Sequence, residues 1–228
     1  MPKELKKYIS NWKIILPDYK FILWNFDRFP IEQSQWVKEA FTCKKYAFAA
    51  DYIRLYALYN YGGIYLDTDV EVLKSFDDLL HLDLIIGYEN SYIFNHKKLE
   101  MATIGSSKNN KFIKECLSFY ENKHFINKDG TYNMIPIPNI IEECIKNKYT
   151  LQPTTTIPTN MPEDEHIIPV LPEAYFSPKS YLTGEVFITP QTHSIHHFRG
   201  SWQSPWKKFK LYVRRLFKIK KLFTSGIL

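Results

Sequence analysis

The chain has 228 residues, 45% hydrophobic and 16% aromatic, enough apolar side chain to bury one sizeable core in one domain. Its net charge of +6 is concentrated at one end. Eight of its 30 basic residues (Lys207, Lys208, Lys210, Arg214, Arg215, Lys218, Lys220 and Lys221) lie between Trp206 and Leu228 with no acid among them, leaving 22 basic against 24 acidic residues elsewhere. A basic tail is not a surface built around a recognition motif, so no nucleic-acid partner is expected, and no stretch approaches the ~20 apolar residues of a membrane-spanning helix.

In chain order, residues 3–13 read as a helix, 19–26 as a strand, and 32–42 as a second helix after a turn holding Asp27 and Pro30. From 47 to 60 the apolar positions Ala47, Ala50, Leu55 and Leu58 recur at helical spacing, and Gly62-Gly63 ends the helix. Residues 64–69 then read as a strand, continued by 70–73, with Ile64 and Leu66 on one face and Tyr65 and Asp67 on the other. Ser75 to Asp78 suggests a helix start and 84–88 a strand. Residues 109–120 and 139–146 read as helices, 150–178 as irregular with short strands, and 193–198 as a strand. The pattern is α/β.

Asp67 and Asp69 close a strand, where open α/β sheets place ligands, while Asp51 and Arg54 share a face of the preceding helix. Hard carboxylate oxygens suit Mg2+ or Mn2+ rather than zinc, as in a metal-diphosphate site. A calcium loop starting at Asp67 is excluded, since Val72 and Asp78 stand where it needs glycine and glutamate. An aspartyl phosphatase also opens on an apolar strand and Asp-x-Asp, but leaves Asp51, Arg54 and the glycine pair unexplained. Cys43, Cys116 and Cys144 are odd in number, lack metal-ligand spacing and follow no signal peptide, implying reduced thiols in a cytoplasm.

Residues 45–73, with Ala50-Asp51, Arg54, Leu55-Tyr56, Gly62-Gly63-Ile64-Tyr65, Asp67 and Asp69, resemble the Asp-x-Asp sugar-binding region of retaining glycosyltransferases, the group of capsular-polysaccharide sugar transferases and yeast initiating mannosyltransferases. Trp24-Asn25 and the run from His196 to Trp202 extend the likeness. The resemblance implies a glycosyltransferase A fold, a mixed sheet flanked by helices, with an N-terminally short catalytic domain over 1–205 and a basic amphipathic helix over 206–228. It implies a metal-dependent, retaining hexosyltransferase, with Asp67, Asp69 and Arg54 as catalytic residues, that moves a hexose or N-acetylhexosamine from a UDP- or GDP-sugar to a surface polysaccharide or a lipid-linked glycan.

By role, the resemblance makes Asp69 a direct metal ligand and Asp67 a ligand that also holds the ribose or sugar. Asp51, Arg54 and Tyr65 would bind the donor, and Ser201 and Trp202 would close over its diphosphate. A strand over 193–198 points His196 and His197 to opposite faces, and the family pattern favours His196 as third ligand. Relatives usually begin with an apolar strand ending near Ile-His-x-x-Trp, which is not matched here, so a catalytically impaired remnant that binds sugar nucleotide or membrane is the second reading. Phe209, Val213, Leu216, Ile219 and Phe223 recur at helical spacing among the tail's charges, a pattern suited to an anionic bilayer and hence to peripheral attachment at the cytoplasmic face.

Overall fold

The computed structural model describes residues 2–93, 96–200, 203, 204, 206, 209–213 and 215; the side chains of 92, 93 and 96 fall outside the description. In order, the elements are α1 (Lys3–Ile15), α2 (Gln35–Thr42), α3 (Tyr46–Tyr61), β1 (Gly63–Leu66), β2 (Val70–Val72), β3 (Leu84–Ile85), β4 (Tyr88–Ile93), β5 (His96–Leu99) and β6 (Thr103–Ser106). They are followed by α4 (Lys111–Ser118), α5 (Ile137–Ile145), β7 (Thr150–Pro153), β8 (Ile167–Val170), α6 (Glu173–Phe176) and β9 (Ser194–His196). The α/β class holds.

Among the described residues the strands form four small sheets: β1-β6-β3, β2-β9, β4-β5 and β7-β8. The first three are antiparallel, and β7-β8 is parallel, as is a bridge from Gly87 to Leu171. Strand alternation sends neighbours to opposite sides of the β1-β6-β3 sheet. Leu84 and Ile104 enter a core with residues of α2, α3, α4 and α5, and Tyr65 packs on it. Ile85 and Ala102 enter a second core with Trp12 of α1, Val70 and Val72 of β2, and Tyr175 and Phe176 of α6, with Ile64 and Leu66 against it.

Local chemistry sets the element ends. Ser34 caps α2 by accepting the Val37 N–H at 3.3 Å, so that helix starts at Gln35, after a 3-10 turn at Ile31–Gln33, rather than at Glu32. Gly62 ends α3 at φ 70°, and a Cβ there would lie 2.8 Å from the Lys108 nitrogen. Both the backbone conformation and the close approach require glycine at that position.

Besides the strand read over 84–88, which divides between β3 and β4 in separate sheets, two expectations fail. Residues 19–26 form no strand, because no neighbouring strand among the described residues offers them a ladder, and their aromatic rings pack on helices instead. Phe21 stacks on Trp12 at 6.5 Å, Trp24 meets Tyr56 and Tyr61, and Phe26 meets Phe41 at 4.4 Å. The second failure is the continuous strand over 64–73. Asp67 to Asp69 make a turn closed by Val70 N–H to the Asp67 carbonyl at 3.0 Å, and β2 pairs with β9 rather than extending β1.

Ser201 and Trp202 lie outside the described residues, as does most of the basic tail, whose backbone is helical at 206, 209–213 and 215. No helix among the described residues is long and apolar enough to cross a membrane.

Candidate active site

The turn after β1 presents both aspartates. Asp67 is fixed through its backbone N–H, which donates to the Ala102 carbonyl at 2.8 Å, continuing the β1-β6 pairing by one residue. Its Oδ1 accepts from the Tyr65 hydroxyl at 2.6 Å and from Arg54 Nη2 at 3.3 Å. The other oxygen, Oδ2, has no hydrogen bond among the described residues. Asp69 accepts the Arg199 backbone N–H on Oδ2 at 2.9 Å, and its carbonyl accepts the His197 N–H at 3.1 Å.

The β2-β9 register sets Val70 opposite His196, so the histidine arrives beside the turn. Its Nε2 lies 3.9 Å from Asp69 Oδ2, and its Nδ1 lies 3.0 Å from Glu100 Oε2. Burial disfavours the imidazolium, but the Glu100 carboxylate, with Asp69 and Asp67 behind it, outweighs this and raises His196 to about 9. His197 points to the other face, stacked on Tyr8 at 4.8 Å with Nε2 2.9 Å from Glu71.

Asp67, Asp69 and His196 thus offer ligand atoms within 4.8 Å of one another. Two carboxylates and an imidazole, one aspartate with an uncommitted oxygen, fit a divalent cation of the magnesium or manganese kind.

Arg54 and Asp51 are buried beneath the turn, 5% and 8% exposed. Arg54 Nη2 donates to Asp51 Oδ1 at 2.9 Å as well as to Asp67, Nη1 donates to the Met101 carbonyl, and the guanidinium lies over the Tyr65 ring at 4.6 Å. Burial pushes Asp51 up to about 7, helped by Asp67 and opposed by Arg54, while the surrounding carboxylates raise Arg54 in spite of its own burial. The structure therefore gives the Asp51–Arg54 pair a bracing place behind Asp67.

Beside it a cleft of about 200 Å³ is lined by Trp24, Asn25, Phe26, Phe41, Tyr46 and Tyr65 among others. Tyr65 thus belongs both to the cleft and, through its hydroxyl, to the Asp67 carboxylate. Glu100 and the carbonyls of Met101 and Ala102 were not legible in the sequence, where they sit in no motif.

Residues 2–86 match the family model described as "Glycosyltransferase sugar-binding region containing DXD motif". The chain is 41% identical over 83 residues to "Glucan organizing enzyme 1" of Cryptococcus neoformans var. grubii, 34% of this chain and 23% of that protein. It is 38% identical over 69 residues to "Inositol phosphoceramide mannosyltransferase 3" of Schizosaccharomyces pombe, 28% of this chain and 19% of that protein. The matches thus span about a fifth of the length of these curated relatives. A solved structure, "PaToxG Glycosyltransferase", superposes on 64% of each chain with 19% identity and a TM-score of 0.47. The segment that matches this family model, from α1 to β3, carries Asp51, Arg54, Asp67 and Asp69.

Proposed function

We propose that the protein is a metal-dependent retaining glycosyltransferase of glycosyltransferase A fold, moving a hexose or N-acetylhexosamine from a UDP- or GDP-sugar to a growing capsular, exo- or lipopolysaccharide or to a glycolipid. The observation that carries this reading is the convergence of Asp67, Asp69 and His196 within 4.8 Å at the end of β1, inside or beside the matched region. Mannose is the first donor sugar to test, since one relative is named a mannosyltransferase.

Mn2+ or Mg2+, when bound, supplies Lewis acidity that neutralises charge on a departing nucleoside diphosphate. Asp67, Asp69 and His196 would hold it. Tyr65 and Arg54 fix Asp67 Oδ1, so that the other oxygen keeps one direction without rotameric search. The aromatic cleft beside Tyr65 suits a planar base, with Trp24 and Tyr46 supplying ring faces. Ser201 and Trp202 would cover the donor and exclude water, limiting hydrolysis. Exposed Trp206, Phe209 and Tyr212 among basic residues support a peripheral place at the cytoplasmic face of an anionic membrane.

The test is release of nucleoside diphosphate from a panel of UDP- and GDP-sugars with and without Mn2+, followed by the anomeric configuration of the product. The reading expects metal-dependent turnover of at least one donor. Tight donor binding without turnover of any sugar would instead support the catalytically impaired remnant.

A further inference from the structure

β5 and β6 are joined by Glu100, Met101 and Ala102, and each of the three reaches a different part of the site. The Ala102 carbonyl accepts the Asp67 N–H, and the Met101 carbonyl accepts from Arg54, which in turn donates to Asp67 Oδ1. Glu100 reaches the far side. It is fully buried, its Oε2 3.0 Å from His196 Nδ1, its Oε1 accepting the Ala102 N–H at 2.6 Å and its own N–H bonded to the Gly87 carbonyl at 2.8 Å.

A carboxylate oxygen is a hydrogen-bond acceptor, so Nδ1, the ring nitrogen facing Glu100 Oε2 at 3.0 Å, is the one placed to donate. That leaves Nε2, 3.9 Å from Asp69 Oδ2, as the nitrogen directed toward the aspartates. Phe198 packs on the His196 ring at 4.1 Å and limits its rotation. With both oxygens engaged, Glu100 cannot turn without breaking a buried bond.

We propose that Glu100 is a positioning residue of the metal site, fixing His196 with Nδ1–H toward itself and Nε2 toward Asp67 and Asp69, while residues 100–102 brace both sides of the site as one segment. This rests on the metal reading of the preceding section.

The test measures Mn2+ affinity without nucleotide, by the electron paramagnetic resonance of free Mn2+, for the unmutated protein, Glu100→Gln, His196→Ala and the double variant. Glu100→Gln should weaken Mn2+ binding about 10- to 100-fold, the range for outer-shell partners of metal-bound histidines. On the His196→Ala background it should change affinity less than about twofold, because Glu100 then has no ring left to orient.

An equal loss on both backgrounds is what a merely structural role gives, and overturns the proposal; so does unchanged affinity in Glu100→Gln. Glu100→Asp, which keeps the charge but retracts it by one methylene, takes the place of Glu100→Gln if that variant does not fold. An arm without substitution at Glu100 uses Zn2+ as a diamagnetic probe: nitrogen-15 spectra should put the metal on His196 Nε2 and hydrogen on Nδ1, and metal on Nδ1 overturns the proposal. If His196→Ala binds Mn2+ as the unmutated protein does, this inference falls and the aspartate site stands. If the unmutated protein binds no Mn2+, the metal reading falls and takes the inference with it.

Discussion

The site is held from two sides by buried charges of opposite sign: Arg54, on the long helix α3, and Glu100, in the three-residue connection between β5 and β6. Both are almost wholly removed from solvent, and both act on a neighbour, Arg54 on Asp67 and Glu100 on His196. They differ in what depends on them. Arg54 neutralises two carboxylates and satisfies a carbonyl across three chain segments, so the fold depends on its charge. The Glu100 side chain is tied to its own segment and to one ring, so the direction of the His196 ring depends on it. Two buried charges with similar exposure can therefore have different roles, and the partners distinguish them.

The sharpest way to break this contrast is Arg54→Met, which keeps the stem and removes the charge. Leaving Asp51 and Asp67 uncompensated should lower the unfolding free energy by ~3–5 kcal/mol in urea titrations. A loss under ~1 kcal/mol would erase the distinction from Glu100. Next come the groups the two braces serve: Asp67→Asn and Asp69→Asn should each reduce donor turnover ~10²-fold or more, with a smaller loss of stability than Arg54→Met, because both carboxylates keep partial exposure.

Another carboxylate, outside the aspartate–histidine cluster, sharpens the comparison by pH. Glu39 on α2 clamps residues 124–126: burial works against its charge, but hydrogen bonds from Gln35, the Ile126 N–H, His124 and the Phe125 N–H outweigh that and lower it to about 2. An acid whose folded value is depressed stabilises fully above its unfolded value. Its contribution should therefore be complete above about pH 4.5 and be lost as pH falls toward 2. Glu39→Gln should flatten acid unfolding across that window, as followed by circular dichroism, while leaving Mn2+ affinity unchanged. The smallest effect on either brace belongs to deletion of residues 206–228. It should abolish sedimentation with anionic vesicles, at ~1 kcal/mol per basic residue near the surface, and leave Mn2+ affinity within twofold.

Much of the site was legible because it is local. Asp51, Arg54, Gly62, Tyr65, Asp67 and Asp69 lie within twenty residues, and helix period, glycine stop and strand alternation relate their positions without reference to the rest of the chain. The strand read over 19–26 failed for the opposite reason: alternation describes a side-chain pattern, whereas a strand also needs a neighbour for its backbone groups. The aromatic rings of that stretch found helices to pack on instead. Glu100 was invisible because a buried glutamate with distant partners has no linear signature.

The sequence by itself determined the chemistry of the turn, two aspartates presented after a glycine-stopped helix, since those features follow from the backbone preferences of adjacent residues. It also narrowed the distant histidine to a pair on opposite faces. Only the tertiary structure sets one of them beside the aspartates, because the β2-β9 register places His196 opposite Val70 and leaves His197 to Glu71 and Tyr8. It decided as well that Arg54 braces Asp67 from within and that residues 100–102 complete the frame, since pairing between strands far apart in the chain is what brings those groups together.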